Sequence, residues 1–190
     1  MSAPATDRRE AWIGDDLVIL DLAADRYDCA QAARRSAARP HASADAAAAG
    51  APADLEALPP GPDVLRPVEG LALILSLLDL VRLYPGRGLA GVLGAVERRR
   101  RAGPADPEAV LRIARAFRRL AIWLPISRKC LVRSFVLARL LQRCGHGCAW
   151  VVGVRTWPFA AHCWLQHGRV VLDDRPERLA PYAVIHQVSA

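Results

Sequence analysis

The chain has 190 residues, which is enough for one ordinary domain or for a very small domain beside a medium one. Apolar residues make up 53% of the chain, so it can bury a core, and global disorder is excluded. Lys and Arg outnumber Asp and Glu by 26 to 19, which gives a net charge of +7. A basic surface favours anionic partners, but this charge accompanies a general richness in Arg and Ala, and we expect no nucleic-acid partner.

The cysteines and the N-terminal segment bear on the cellular compartment. The chain has five cysteines, an odd number whose spacing does not form a secreted disulfide framework. The segment MSAPATDRREAW has no apolar stretch after its charges, unlike a signal peptide. The longest apolar run, residues 71–78, is far shorter than the roughly 20 residues that span a bilayer, and it indicates a buried helix. We therefore expect a cytoplasmic protein with free thiols and no membrane insertion.

The first third of the chain predicts a small unit followed by a linker. Residues 16–22, DLVILDL, predict a strand, and residues 27–29 predict a short strand that pairs back after a turn. Residues 31–39 are rich in Ala and Arg and favour a helix. From residue 40 to 62 the composition shifts to Ala, Pro, Gly and Asp, which is typical of a linker.

The remainder predicts helices followed by an antiparallel sheet. Helices are predicted at residues 68–84, 88–101, 106–123 and 127–143, and strands at residues 149–156, 161–166 and 169–174. Ser127 is in position to cap the last helix, and His167-Gly168 predicts the turn between the last two strands. This order indicates the α+β class, with an N-terminal unit and linker at residues 1–60 and a second domain at residues 64–190.

Cys130 falls in the first turn of the helix that Ser127 is predicted to cap. A thiol in that position feels the positive end of the helix dipole and lies near unpaired backbone N–H groups, and both favour the nucleophilic thiolate. Arg128 and Lys129 add positive charge beside it. The alternative is a small buried apolar residue, which is the role of most free cysteines.

His162 lies in a predicted strand, and the hairpin that follows brings Asp173 or Asp174 back beside it. An imidazole that is held by a carboxylate and faces a thiol at a helix N-terminus is the arrangement of an activated nucleophile. A strict two-residue turn pairs His162 with Asp173 and turns Asp174 away, whereas a bulge or a wider loop reverses the choice. The spacing leaves both acids open.

A second cluster, Cys144-Gly-His146-Gly-Cys148, is similar to a metal site. It lacks a fourth ligand at the usual spacing and lies in a predicted helix-to-strand loop, so we expect no metal there. Cys163 alternates to the strand face opposite His162, which favours a buried core thiol.

Three segments of the second domain stand out: KCLVRSFVLARLLQRCG from Lys129, WVVGVRTWPFAAHCWLQHG from Trp150, and RVVLDD from Arg169. With them, the chain from about Val64 onward resembles the transglutaminase-like cysteine peptidases of lasso-peptide gene clusters, the microcin-processing leader peptidases. The resemblance implies a papain-related catalytic domain of helices followed by an antiparallel sheet. It implies a triad of Cys130, His162 and Asp174, and substrate-binding roles for Arg155, Pro158, Phe159 and Trp164.

The segment WIGDDLVILDLAADRYDCA, from Trp12, resembles the small winged-helix leader-recognition domain that some members of this family carry in the same chain. In that domain, the leader of the precursor adds as an extra strand to a sheet edge. The resemblance implies leader contacts at Val18, Ile19, Leu20 and Tyr27.

The resemblance also implies a substrate and partners. The substrate is a ribosomal precursor peptide that is cleaved between leader and core, and no cofactor is implied. A separate ATP-using lasso cyclase of the amidotransferase-like type then joins the freed core amine to an Asp or Glu side chain.

Two other functions are compatible with these residues. One is an amidase or transglutaminase, in which an amine replaces water at the thioester. The other is a non-catalytic module that escorts a precursor. The N-terminal unit favours the peptidase, and the intact set of Cys, His and Asp disfavours the escort.

Overall fold

The computed structural model describes residues 8–31, 52–98, 106–127 and 129–190, and its elements belong to the α+β class. The strands are β1 (Arg8–Ile13), β2 (Asp16–Asp21), β3 (Arg26–Gln31), β4 (Ala53–Asp54), β5 (Ala149–Arg155), β6 (Ala160–His167), β7 (Val170–Val171) and β8 (Ala183–Ser189). The helices are α1 (Pro67–Leu83), α2 (Leu89–Glu97), α3 (Pro107–Leu120), α4 (Cys130–Arg143) and α5 (Pro176–Leu179). Within these ranges the strands form an N-terminal sheet, β1-β2-β3, and a larger sheet, β4-β7-β6-β5-β8. The predicted class is confirmed.

The N-terminal sheet is antiparallel, with β2 at its centre. Val18 and Leu20 of β2 are fully buried, while the residues between them are partly exposed, which is the period-two pattern that predicted this strand. The sequence does not predict β1, because half of Arg8–Ile13 is charged and Ala11 is its only buried residue. The predicted helix at residues 31–39 lies outside the described residues, apart from its first residue, which ends β3.

Part of the predicted linker belongs to the larger sheet. Strand β4 pairs in parallel with β7, and Leu55 directly after it is fully buried. Arg118 of α3 forms ion pairs with Asp54 and Glu56, at 3.6 and 3.2 Å. The linker prediction for residues 40–62 is therefore wrong from residue 53 onward, because one buried leucine among small residues gives little compositional signal.

Helix α4 crosses the larger domain and packs against β6 and against the other long helices. Its Phe135 and Val136 are fully buried, and so is the guanidinium of Arg139. Arg139 bonds to Asp79 of α1 at 2.6 and 2.9 Å, and Arg143 bonds to the same carboxylate at 2.8 Å. Because a buried charge is costly unless it is paired, this network ties α4 to α1 and so helps to set where the α4 N-terminus lies.

Helix α1 is only half buried, in contrast to the fully buried helix that its apolar run predicts. Ala72 and Leu73 face the core, whereas Leu71, Ile74 and Leu78 are 44–57% exposed. The run is apolar around most of the helix, and this pattern predicts burial on every side. The prediction is wrong because, among the described residues, only one side of α1 has a packing partner. No helix in the four described ranges combines the length and the apolar character needed to cross a membrane.

The N-terminal sheet packs on the larger domain at two places. Strand β1 contacts β8, where Arg9 Nε donates to His186 Nδ1 at 3.2 Å. The indole N–H of Trp157 donates to Asp16 Oδ2 at 2.9 Å. The second contact fixes the N-terminal sheet beside the turn between β5 and β6, and this turn leads directly to His162.

Candidate active site

Cys130 is the first residue of α4. Lys129 is the N-cap residue, and the Ser127 hydroxyl accepts the backbone N–H of Lys129 at 3.3 Å just before the helix. Backbone N–H groups of a first helical turn have no acceptor within the helix, so Cys130 lies at the positive end of the α4 dipole. The predicted cap at Ser127 is wrong by two residues, while the predicted position of Cys130 in the first turn is confirmed.

His162 is held between Asp174 and Cys130. Its Nε2 lies 2.6 Å from Asp174 Oδ2, and the Cys130 thiol is close enough to contribute to the raised pKa of its ring. Because the carboxylate engages Nε2, Nδ1 is the ring nitrogen left to face the sulfur. The structure therefore brings together the three residues that the resemblance implies as a triad.

The hairpin that precedes the acid differs from the predicted one. His167 pairs with Val170, so the turn consists of Gly168 and Arg169 and not of His167-Gly168. Strand β7 ends after two residues, and the chain then bends over residues 172–174. The alternation of a paired strand therefore no longer decides which acid faces the histidine.

Asp173 points into the core instead of toward His162. Its carboxylate accepts the backbone N–H of Leu165 at 2.8 Å and the hydroxyl of Ser134 at 2.5 Å. Burial raises the pKa of Asp173 to about 6. This residue joins β6 to α4, which leaves Asp174 as the acid beside the imidazole.

The charges of the site favour a thiolate next to an imidazolium. A hydrogen bond with Cys163 lowers the pKa of Cys130 well below its usual range; burial opposes this shift and the bond to His162 adds to it. The hydrogen bond with Asp174 raises the pKa of His162 to about 9, and the bond with Cys130 contributes further. Burial acts to raise the pKa of Asp174, but hydrogen bonds from His162 and from the Arg175 N–H leave it lowered.

Aromatic rings surround the imidazole of His162. The Trp164 ring stacks near it with centroids 6.3 Å apart, and the Tyr182 ring lies 5.5 Å away. The Arg155 guanidinium lies 5.5 Å from the centre of the Tyr182 ring. Trp164 is only 5% exposed and packs beside the imidazole, and its expected substrate contact stays a prediction. The sequence gives no motif from which Tyr182 could be found.

The turn between β5 and β6 presents apolar groups to solvent. Trp157 and Phe159 are 72% and 44% exposed, and they flank Pro158, whose peptide bond is cis. The ring of Tyr27, from β3, lies 5.5 Å from the ring of Phe159. The two sheets therefore share an apolar surface next to the strand that carries His162.

Two of the residues expected to contact a leader do not reach the surface. Val18 and Leu20 are fully buried in the central strand β2, so the expectation of leader contacts is wrong for both. Ile19 lies on the other face of β2 and is partly exposed, and Tyr27 is half buried on the edge strand β3. A further strand can add only at an edge of this sheet.

The cysteines near the end of α4 lie in a different environment. Burial raises the pKa of Cys144 to about 11 and also raises that of Cys148, so both thiols stay protonated. In the described part of the chain, no three His, Cys, Asp or Glu side chains group to hold a metal ion. Cys144 and His146 line a cavity of about 810 Å³ between α1, α3 and the C-terminal end of α4. Cys130 lies at the other end of the same helix.

Comparison with known proteins places the site in a family. Residues 74–187, more than half of the chain, match the model of the transglutaminase-like superfamily, and this range contains Cys130, His162 and Asp174. The chain belongs to the transglutaminase-like superfamily. It is also 36% identical over 59 residues to the microcin J25-processing protein McjB of Escherichia coli. That match covers 31% of this chain and 28% of McjB. No solved structure matches the chain.

The transglutaminase-like domain thus positions a thiol at a helix start and an imidazole on the neighbouring strand. A thiolate in that position can attack a carbonyl carbon, and the imidazolium can protonate the leaving group. The site is therefore suited to acyl transfer through a thioester.

Proposed function

We propose that this protein is a cysteine endopeptidase that removes the leader from a ribosomally made lasso precursor peptide and so prepares the core for macrocyclisation. The proposal is carried by one observation, the contact of Asp174 with His162 and of His162 with Cys130 at the start of α4. The similarity to McjB, whose name describes the processing of microcin J25, supports the same class of substrate.

Acylation begins with attack of the Cys130 thiolate on the carbonyl carbon between leader and core. The carbonyl oxygen becomes an oxyanion, which the free N–H groups at the α4 N-terminus are placed to stabilise. His162 then gives its proton to the departing core amine as the C–N bond breaks. The leader remains attached to Cys130 as a thioester, and the core leaves with a free N-terminus.

Deacylation uses the same imidazole in the opposite direction. His162, now neutral, takes a proton from water, and the hydroxide adds to the thioester carbonyl carbon. The C–S bond breaks, and the leader leaves with a free carboxylate. Asp174 keeps the ring oriented and stabilises its charged form through both steps.

We propose that the groups around the β5–β6 turn hold the peptide. Pro158 and Phe159 are exposed just before β6, and Arg155 is the last residue of β5, at the start of the same turn. Among the described residues, the Nε of Arg155 is buried without a hydrogen-bond partner, which suits a donor to a substrate carbonyl.

The leader is proposed to bind the N-terminal sheet at the edge of β3. Strand β3 has β2 on one side, and its partly buried Tyr27 packs on Phe159. An added strand there would gain main-chain hydrogen bonds and would run beside the turn that precedes His162. The proposed division is a leader-recognition unit and a peptidase domain, with the boundary before β4.

We further propose that the peptidase works in the cytoplasm and that a separate amidotransferase-like lasso cyclase uses the core that it releases. All five cysteines are unpaired, which suits a reducing compartment. A free core amine is the nucleophile that a macrolactam-forming enzyme needs.

The proposal is tested with Cys130→Ala and a matched control, Cys148→Ala. Each variant is incubated with a lasso precursor peptide, and the products are read by mass spectrometry. Cys130→Ala should form no leader or core product, whereas Cys148→Ala should retain cleavage, because its thiol is buried in the core away from His162. Cleavage at the wild-type rate by folded Cys130→Ala would contradict the proposal.

A further inference from the structure

The exposed side of α1 carries a regular apolar pattern. The large apolar side chains that reach solvent on this helix are Val68, Leu71, Ile74, Leu75, Leu78 and Val81. Starting at Leu71 and ending at Val81, four of them follow at spacings of three, four and three residues, and each is 44–71% exposed. This is the spacing of the a and d positions in a coiled coil, which pack against a second helix. We call these four residues, Leu71, Ile74, Leu78 and Val81, the α1 seam.

Two buried ion pairs on the opposite side of α1 hold the seam toward solvent. Arg112 of α3 donates to Glu69 at 2.7 Å, and Arg139 of α4 donates to Asp79 at 2.6 Å. Turning the seam inward would break both pairs and leave the buried guanidinium of Arg139 without its carboxylate, which is costly. The described part of the chain therefore leaves the seam exposed, and an apolar surface of this kind marks a contact with another molecule.

The seam is complementary to itself. Its spacings read the same from either end, so two antiparallel copies of α1 can pair around a two-fold axis at the level of Ser76. Leu71 then meets Val81 of the second copy, and Ile74 meets Leu78 of the second copy. Each of these layers joins an a position to a d position. Every residue of the seam therefore has an apolar partner in this arrangement.

The charges of α1 favour the antiparallel direction. Within Pro67–Leu83 the charged residues are Glu69, Asp79 and Arg82, and the two acids are buried. Arg82 therefore supplies the only charge on the exposed side of this helix. An antiparallel pair places the two copies of Arg82 at opposite ends, each near Val68 of the other copy. A parallel pair would place both at the same end, where like charges repel.

A different protein and a lipid surface are the other candidate partners. A different protein has no reason to match the symmetric spacing of the seam, whereas a two-fold interface uses the same surface on both copies. A helix that lies on a membrane usually has a polar face rich in Lys and Arg. The polar side of α1 is buried, and Arg82 is the one exposed cation within Pro67–Leu83. A second copy of this chain is therefore the partner that fits the seam best.

We propose that α1 is a homodimer interface, in which two copies of the chain pair antiparallel through the α1 seam. With Val68 and Leu75 beside it, the seam would bury about 1,000 Å² in total over both copies, which is near the lower limit of a specific interface. An interface of that size predicts reversible association, with a dissociation constant of about 1–100 µM. The inference does not depend on the proposed function, because the interface contains none of the triad residues.

Analytical ultracentrifugation of the full-length protein, from about 1 to 500 µM, measures the association. The average mass of the wild type should rise with concentration from 20.6 kDa toward twice that value. Leu78→Glu puts a carboxylate opposite Ile74 of the second copy, and Ile74→Lys puts an ammonium opposite Leu78. Either change should weaken association by at least about 100-fold, because a charge would be buried against an apolar side chain. Ile122→Glu, at an exposed apolar residue outside α1, is the matched control and should leave association unchanged.

A mixture of the two seam variants tests the direction of pairing. When Ile74→Lys pairs antiparallel with Leu78→Glu, the introduced ammonium and carboxylate face each other in one layer, and the other layer keeps its native residues. The mixture should therefore associate at least about tenfold more tightly than either variant alone. A parallel pair in register would not bring the two charges together. Circular dichroism checks the fold, and Leu71→Lys with Val81→Glu replaces this pair if either variant does not fold.

Three results would overturn the proposal. One is a wild-type protein that stays a monomer across this concentration range. The second is a dimer that the folded seam variants leave unchanged, and the third is a mixture that associates no more tightly than its components. If the wild type stays a monomer, sedimentation with a lasso cyclase or with vesicles of phosphatidylcholine and phosphatidylglycerol shows whether another protein or a membrane covers the seam instead.

Discussion

The ring of Tyr27 lies 5.5 Å from the ring of Phe159, and this contact joins the edge strand of the N-terminal sheet to the turn before β6. The hydrogen bond from Trp157 to Asp16 fixes the same turn from a second point of that sheet. A peptide bound along β3 would therefore be delivered beside the strand that carries His162. We infer that the N-terminal sheet supplies substrate to the candidate active site as well as packing against the domain.

Removal of residues 1–51 tests this role of the N-terminal sheet. The cut falls at residue 51 because β4 and Leu55 belong to the larger domain. The truncated protein should lose most of its affinity for a labelled leader peptide and most turnover of precursor, yet still hydrolyse a small activated ester. Fluorescence anisotropy gives the affinity, and circular dichroism shows whether the remaining domain is folded. Undiminished leader affinity would place recognition in the helices of the larger domain.

The two neighbouring aspartates should respond differently to the same substitution. Asp174→Asn removes the charge that orients His162, and it should lower kcat by up to roughly 10⁴-fold. Asp173→Asn should have a mild effect, because Asp173 bonds to Leu165 and Ser134 and not to the imidazole. Steady-state cleavage of a precursor by both variants provides the comparison. The reverse order of effects would show that the acid has been assigned to the wrong residue.

The site predicts a basic limit of activity near pH 9. The imidazolium of His162 protonates the leaving amine, and its pKa is raised to about 9, so kcat/KM should fall as the pH rises through that value. In Asp174→Asn the largest cause of the raised pKa is gone, and the basic limit should move to lower pH. Profiles of kcat/KM against pH for both proteins test this. A basic limit that is unchanged by Asp174→Asn would contradict the role of that carboxylate.

Gly153 leaves no room for a side chain behind the imidazole. A Cβ at this position would lie 2.9 Å from ring carbons of Trp164 and 3.1 Å from the Cβ of Tyr182. Both rings neighbour His162, so Gly153→Ala should destabilise the fold by about 1–3 kcal/mol and lower kcat as well. Gly70→Ala in α1, where a Cβ has open space, should be neutral or stabilise by roughly 0.5–1 kcal/mol. Thermal unfolding and cleavage assays of Gly153→Ala and Gly70→Ala test this. A fully active Gly153→Ala with unchanged stability would contradict the packing argument.

The parts of the fold that sequence predicted are those with a local signal. The alternation around Val18 and Leu20 predicted β2, and the position of Cys130 in the first turn of α4 followed from the break before it. Strand β4 and the burial of Leu55 depend on pairing with residues more than a hundred positions away. The composition of residues 40–62 gives no information about that pairing. Strand β1 escaped prediction for a related reason, since its partner β2 and the contact with β8 hold a segment that is half charged.

In the candidate site, too, features with a local signal were predicted, and features that depend on distant contacts were not. Spacing brought an acid back to His162, but the choice of Asp174 came from the family resemblance, because the short β7 and the bend after it cannot be derived from spacing. Cys163 was predicted to be a buried core thiol and is one.

The fate of the leader carboxyl is the most direct test of the central claim. A lasso precursor peptide is incubated with the wild-type protein and with Cys130→Ala, in buffer that contains excess glycinamide, and the mass of the released leader is measured. The peptidase account predicts that the wild type releases a leader with a free carboxyl group and that Cys130→Ala releases none. A leader that carries glycinamide would identify a transglutaminase-type acyl transferase, and equal cleavage by Cys130→Ala would remove Cys130 from the reaction; either result would contradict the account.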